Sequence, residues 1–257
     1  MSAFRDGLFD GKIAFVAGGT SGINLGIAKR YAQLGARVAV AGRNPDKARG
    51  AAAEIGHGAI GLSADVRDYD AIRFAMEQVV DQFGRMDIVV SGAAGNFLAP
   101  ALRLSANAFR TVVDIDLNGT FNVFRGCHDL LNRPGASLIA ITAPQAVNAM
   151  QLQAHACAAK AGVNQLVRTL ALEWGPDVRV NGISPGPIAN TEGMERLSGD
   201  QSQLEAFHAR LPLRRFGGVE EVAEGAVFLA SASAGYVTGA ILDIDGGYSV
   251  GDASRAM

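Results

Sequence analysis

The stretch Lys12-Ile13-Ala14-Phe15-Val16-Ala17-Gly18-Gly19-Thr20-Ser21-Gly22-Ile23-Asn24-Leu25-Gly26 decides the fold. Its opening residues are apolar on both faces and read as a buried strand, Lys12–Ala17. Glycines follow at once, and a helical pattern runs over Gly22–Leu34. A strand that turns through glycines into a helix lets the backbone approach a phosphate. The helix N-terminus then offers unbonded N–H groups and a partial positive charge. The bland alternative is a plain tight turn.

Working outward, the same alternation repeats. Strands are predicted at Arg37–Ala41, Ala59–Ser63, Asp87–Ser91, Ser137–Thr142, Arg179–Ser184 and Ala240–Ile244. Helices are predicted at Pro45–Ile55, Tyr69–Phe83, Ala106–Leu131, about Gln153–Trp174 and Glu220–Ser231. Short Val- and Ile-rich strands alternating with helices imply right-handed crossovers and parallel pairing. The expected fold class is α/β, a single doubly wound Rossmann-type domain over residues 1–257. Residues 188–217 break the alternation, and an insertion of this kind usually covers a ligand site.

The 257 residues are 49% hydrophobic and 19% charged, with net charge −2 and mean hydropathy +0.16. That balance excludes disorder. With no basic stripe, a nucleic-acid partner is not expected. No run is apolar enough for a membrane helix. The N-terminus carries no secretory signal, and Ser254–Met257 is not a Ser-Lys-Leu-type address, so a cytoplasmic location is expected. Cys127 and Cys157 make no disulfide framework, and the four histidines show no ligand spacing, so no metal site is expected.

The second strand ends Ala41-Gly42-Arg43-Asn44. An Asp or Glu here would bind the ribose 2′-hydroxyl of NAD. Arg43 instead fits a 2′-phosphate, so NADPH/NADP is the expected cofactor; the alternative is a solvated surface Arg. Asp65-Val66, past the third strand, places a carboxylate for the adenine amino group.

These residues, with Ser91–Gly95, Lys160 and Ser184-Pro185-Gly186-Pro187-Ile188, resemble the short-chain dehydrogenase/reductase family over almost the whole chain. The resemblance implies a seven-stranded parallel sheet, a nicotinamide cofactor and a homotetramer. It also implies a cofactor-binding set: Gly18, Thr20, Ser21, Gly22, Ile23 and Asn24 in the loop, with Arg43, Asn44, Asp65, Val66, Ala93, Ala94, Gly95, Lys160, Pro185, Gly186, Pro187 and Ile188. The sequence departs from the family pattern at the catalytic positions. The family Tyr, four residues before the Lys, is Ala156; the family Ser is Ala143; the family Asn is Asp116. The third loop glycine is Asn24, the non-Gly residue type that best tolerates positive φ.

A carbonyl reductase must hand a proton to oxygen, and alanine cannot. One subfamily has the same losses. Ala93–Leu98, Asp114-Ile115-Asp116, Gly119–Val123, Glu173–Pro176, Thr191-Glu192-Gly193 and Tyr236–Ala240 are similar to the peroxisomal type of 2,4-dienoyl-CoA reductase. That likeness implies NADPH-dependent reduction of a conjugated C=C in an acyl-CoA thioester. Asp116 and Lys160 are its implied catalytic residues, and resemblance to the mitochondrial type of the same reductase adds Asn118 and Asp245. Asn96, Phe97, Gln145 and His155 are expected around the substrate. Each has a structural alternative: Asp116 as a backbone tether, Asp245 as a turn former before Gly-Gly, His155 as a packing residue. Arg196, Arg210, Arg214 and Arg215 offer cations for CoA phosphates, and Met194, Leu197, Leu204 and Phe207 an acyl slot. Two other readings stay open: the same fold acting on another carbonyl, enone or alcohol through a non-Tyr acid, and an inactive NADP(H)-binding protein.

Overall fold

A computed structural model describes residues 4–191 and 201–255. In β1 (Ile13–Ala17) every residue is buried, because successive side chains feed two different cores. Ile13, Phe15 and Ala17 enter one cluster, with Ile72, Met76, Phe124 and Val163. Ala14 and Val16 enter the other, with Ile27, Tyr31, Val222 and Val227. A strand apolar on both faces requires a helical layer on each side.

Those layers follow from the element order. After β1 come α1 (Gly22–Gln33), β2 (Arg37–Gly42), α2 (Pro45–Ile55), β3 (Ile60–Ser63), α3 (Tyr69–Phe83) and β4 (Ile88–Ser91). Then come α4 (Ala106–Val113), α5 (Gly119–Cys127), β5 (Ala136–Ile141), α6 (Ala154–Trp174), β6 (Val178–Pro185), α7 (Gln201–Arg210), α8 (Val219–Ala230) and β7 (Ile241–Ile244). All pairings are parallel, and the strand order is β3-β2-β1-β4-β5-β6-β7. The chain therefore winds outward in both directions from β1 and β4. Ala17 lies opposite both Ala41 and Ser91, so three loops open together at the carboxyl edge where the order reverses. The seven-stranded, doubly wound arrangement expected from the sequence is the one observed.

The predicted helix over Ala106–Leu131 is not uniform. A π turn, Asp114–Asn118, separates α4 from α5, and His128–Leu130 forms a 3₁₀ turn. The Gly119 N–H reaches back five residues to the Asp114 carbonyl. The Thr120 hydroxyl donates to the Asp116 carbonyl at 2.7 Å and accepts from Ser91 Oγ at 3.1 Å. A side chain thus satisfies a carbonyl that the helix ladder gives up, which admits the extra residue.

Residues 188–217 leave and return at one point. Ala189 N donates to Gly217 O at 2.9 Å, and Gly217 N to Pro187 O at 3.0 Å. Within this excursion α7 is described, whereas Glu192, Gly193, Met194, Arg196 and Leu197 lie outside the described residues.

Phe15 is fully buried and Phe74 on α3 is 62% exposed. Phe15→Ala should destabilise by about 3–5 kcal/mol through the cavity it opens. Phe74→Ala should stay within about 0.5 kcal/mol. Urea unfolding of the two variants measures the difference, and equal costs would contradict the two-layer core.

Candidate active site

The glycine loop is held between two neighbours. Gly18 has φ +76°, and an added Cβ would lie 2.6 Å from Ala93 N, so only glycine allows the β1 and β4 loops to touch. The Thr20 side chain covers Gly42 at the end of β2. Asn24 is not in the left-handed region; it lies inside α1. Its role differs from the backbone one expected. Asn24 Nδ2 donates to Gly92 O at 2.8 Å and to Gly18 O at 3.3 Å, which ties the loop after β1 to the loop after β4.

Helices α2, α3 and α4 are capped by the side chains of Asn44, Asp68 and Ser105. Helix α1 is not: Ser21 makes no cap hydrogen bond, and the first turn holds no acid. Gly22, φ +55°, has open space on its Cβ side. The first N–H groups of α1 therefore face room for an anion, beside a dipole that favours one.

At the end of β2 two of the expected cofactor residues have partners within the protein. Asn44 Oδ1 accepts from Asp46 N and Lys47 N at 2.9 and 3.0 Å, so that oxygen is committed to capping α2. The Asp65 carboxylate is forked by Arg67, with Arg67 Nη2 2.6 Å from Asp65 Oδ2. The Arg67 hydrogen bonds hold Asp65 below its ordinary pKa, with a contribution from Arg43. Sequence reading missed Arg67. It places a second cation beside the exposed Arg43. Val66 is buried, and Asn122 Nδ2 donates to its carbonyl at 2.9 Å.

The chemical centre lies between the π turn and α6. Asp116 is 1% exposed. Its Oδ1 accepts from Gly95 N at 2.8 Å, and its Oδ2 lies 3.3 Å from Lys160 Nζ. Lys160 Nζ also donates to Ile141 O at 3.0 Å, at the end of β5. The structure thus brings together Asp116, Lys160 and the Ala93, Ala94 and Gly95 loop. It does not bring Asn118 with them. Asn118 is exposed and donates to Asp114 Oδ1 at 2.8 Å, so the π turn that turns Asp116 inward leaves Asn118 outside.

Asp245 lies at the same edge, packed against Gly186. Its carboxylate is occupied: Gly247 N donates to Oδ1 and Ser249 N to Oδ2, each at 2.8 Å. Partial burial would raise the carboxyl, but the hydrogen bonds from Ser249 and Gly247 outweigh it and hold the pKa below its ordinary value. A carboxylate stabilised in this way stays ionised and shapes the turn before Gly246-Gly247. Gly186 N donates to Ile244 O at 3.0 Å and Ile188 is 2% exposed, so residues 185–188 form a firm wall. A cleft of about 360 Å³ lies between Pro187, Leu213 and Asp245.

On the substrate side, Gln153 Oε1 accepts from Asn96 Nδ2 at 2.7 Å and from Gln145 Nε2 at 3.1 Å. Gln153 was not singled out from sequence, yet it staples the loop after β4 to the loop after β5. Phe97 covers His155, with ring centroids 4.5 Å apart. Arg210 pairs with Asp252, Arg214 donates to Ala253 O, and Arg215 forks onto Glu221. These cations fasten the end of α7 and the segment after it to the C-terminal segment and to α8. Among the described residues no group of three His, Cys, Asp or Glu is placed to hold a metal, and no helix is long and apolar enough to cross a membrane.

Comparison with known proteins agrees with this geometry. The family model described as enoyl-(acyl carrier protein) reductase matches residues 17–249. The chain belongs to the short-chain dehydrogenase/reductase family. It is 44% identical over 250 residues to a peroxisomal 2,4-dienoyl-CoA reductase of Pongo abelii, covering 95% of this chain and 86% of that protein. It is 37% identical over 243 residues to a probable 2,4-dienoyl-CoA reductase of Bacillus subtilis, covering 92% and 96%. A solved short chain dehydrogenase from Bacillus anthracis superposes with TM-score 0.82 at 36% identity, covering 93% and 96%. A citronellol catabolism dehydrogenase of Pseudomonas aeruginosa gives 0.84 at 34%, covering 96% and 99%.

The family implies a nicotinamide cofactor and an oxidoreductase, and the residues present fit that cofactor. The uncapped α1 terminus and the open side of Gly22 suit a pyrophosphate, and Lys160 stands beside the Gly95 loop where a nicotinamide ribose would be held.

Asp116 and Lys160 are both removed from water, so breaking one side should be costly. Asp116→Ala should destabilise by about 3–5 kcal/mol, because it strands a buried ammonium. Lys160→Met combined with Asp116→Asn should cost less than the sum of the two single changes, by at least about 1 kcal/mol. Additive costs in urea unfolding would show that the pair is not coupled.

Proposed function

We propose that this protein is an NADPH-dependent reductase of a conjugated C=C in an acyl-CoA thioester, of the 2,4-dienoyl-CoA type. The observation that carries the reading is the buried Asp116–Lys160 pair set against Ala143 and Ala156. Those two alanines stand where the family resemblance would place the Ser and Tyr of alcohol chemistry. The relatives named as 2,4-dienoyl-CoA reductases support the substrate class.

When bound, the reduced nicotinamide supplies a hydride to the far end of the diene. The two double bonds then shift, charge gathers on the thioester oxygen, and one proton at the α carbon completes a 3-enoyl thioester. No hydroxyl donor at a carbonyl carbon is required, which suits a site that has alanines there. Lys160 holds the nicotinamide ribose, and its charge favours the developing anion. The proton for the α carbon comes from solvent by way of a water held on the Asp116 carboxylate, and solvent returns the proton that this water gives up. The Gly95 N–H on Oδ1 fixes the orientation of its carboxylate. Arg43, with Arg67 beside Asp65, receives the 2′-phosphate. The reading includes a homotetramer, supported by the exposed apolar side chains of Phe121 on α5 and Leu172 on α6.

Purified protein given NADPH and a short 2,4-dienoyl-CoA should lose nicotinamide and diene absorbance in equal amounts. Asp116→Asn should lower kcat by at least about 100-fold while NADPH still binds. Tight NADPH binding with no loss of either absorbance would sink the reading and leave a nucleotide-binding role. Arg43→Ala should raise KM for NADPH about tenfold and leave KM for NADH unchanged, since only the phosphate loses a charged partner. Equal changes for the two cofactors would remove Arg43 from the 2′-phosphate.

A further inference from the structure

His155 lies in the first turn of α6, next to Ala156, and is completely buried. Neither ring nitrogen has a hydrogen-bond partner. The nearest groups are already committed. Asp116 gives one oxygen to Gly95 N and the other to Lys160. Gln153 Oε1 is shared between Asn96 and Gln145. The Phe97 backbone gives the ring a weak contact that favours its charged form but is too poor in geometry to satisfy a nitrogen, and the Phe97 side chain covers it.

A buried imidazole left this way costs stability, on the order of 1–3 kcal/mol for the stranded polar group. An apolar ring of similar size would pack there without that loss. The position therefore makes sense if a partner arrives from outside the protein. Phe97 is 41% exposed on a loop without regular structure, so one side chain separates the imidazole from an incoming ligand. Burial also holds the ring below its ordinary pKa, against the opposing pull of the Asp116 carboxylate. The ring is then neutral near pH 7, with one N–H to donate and no charge to lose.

Resting on the reductase reading, we propose that the His155 N–H is the hydrogen-bond donor to the thioester carbonyl oxygen of the substrate. This role is open, because Asn118 is turned away to Asp114 and no hydroxyl stands at position 143 or 156. A neutral imidazole donates without transferring its proton. It stabilises the oxyanion while Asp116 serves the α carbon, so the two groups do not compete for one proton.

The test combines three variants and one spectrum. His155→Phe should lower kcat with dienoyl-CoA by about 10²- to 10³-fold, as for loss of one oxyanion donor. The dissociation constant for NADPH should be unchanged, and Tm should be equal or higher because the stranded nitrogens are gone. His155→Gln, which keeps a donor, should recover at least tenfold over Phe, and His155→Leu should behave as Phe does. Wild-type turnover by His155→Phe would overturn the proposal, as would a loss of Tm that Gln does not restore. Should the apolar variants fail to fold, ¹⁵N-labelled histidine spectra of the wild type decide. The imidazole N–H should move downfield on addition of an enoyl-CoA product and stay in place with the matching thioether, which lacks the carbonyl. An unmoved N–H overturns the assignment. If the wild type binds NADPH, shows the shift and yet never turns over dienoyl-CoA, the donor stands and the reductase reading falls.

Discussion

A buried ion pair, Asp116 with Lys160, holds the carboxyl edge of this molecule together. It joins the π turn between α4 and α5 to the first half of α6, and its other contacts reach the Gly95 loop and the last carbonyl of β5. Two charges taken out of water repay their desolvation only with the help of further hydrogen bonds. Gly95 N–H fills one carboxylate oxygen and Ile141 O takes one ammonium proton. The pair is a poor choice for stability alone and a good one for placing opposite charges beside a reacting anion.

Around it the loops are arranged in pairs. Asn24 links the β1 loop to the β4 loop, and Gln153 links the β4 loop to the β5 loop. Both use side-chain amides without adding charge: Asn24 Nδ2 donates to two carbonyls, and Gln153 Oε1 accepts from two amide nitrogens. The covering excursion is closed by Pro187, Ala189 and Gly217 at its base and fastened by arginines at its far side. Arg210, Arg214 and Arg215, three of the four cations expected near a CoA phosphate, take part in that fastening. The arrangement leaves a polar floor, a firm wall at residues 185–188 and one loosely covered imidazole.

The amino-acid sequence by itself determined the layers, the strand count implied by family likeness, and the placing of the glycine loop after β1. It did so because period and burial are local: an all-apolar five-residue strand cannot sit anywhere but the middle of two helical layers. Arg43 stood out as a cation at a strand end, and Asp116 and Lys160 were marked by family likeness. Only the tertiary structure decided who partners whom. Asn118 and Asp116 are two residues apart, and a π turn created by Thr120 and Gly119 sends one inward and the other out. The backbone N–H groups of Gly247 and Ser249 on Asp245 are visible only in the fold. His155 was expected near the substrate, and only the fold shows that its neighbours are spent on one another. The reason is general: hydrogen-bond valence is a property of the whole local network, and a sequence names the donors and acceptors without saying which of them the fold leaves over.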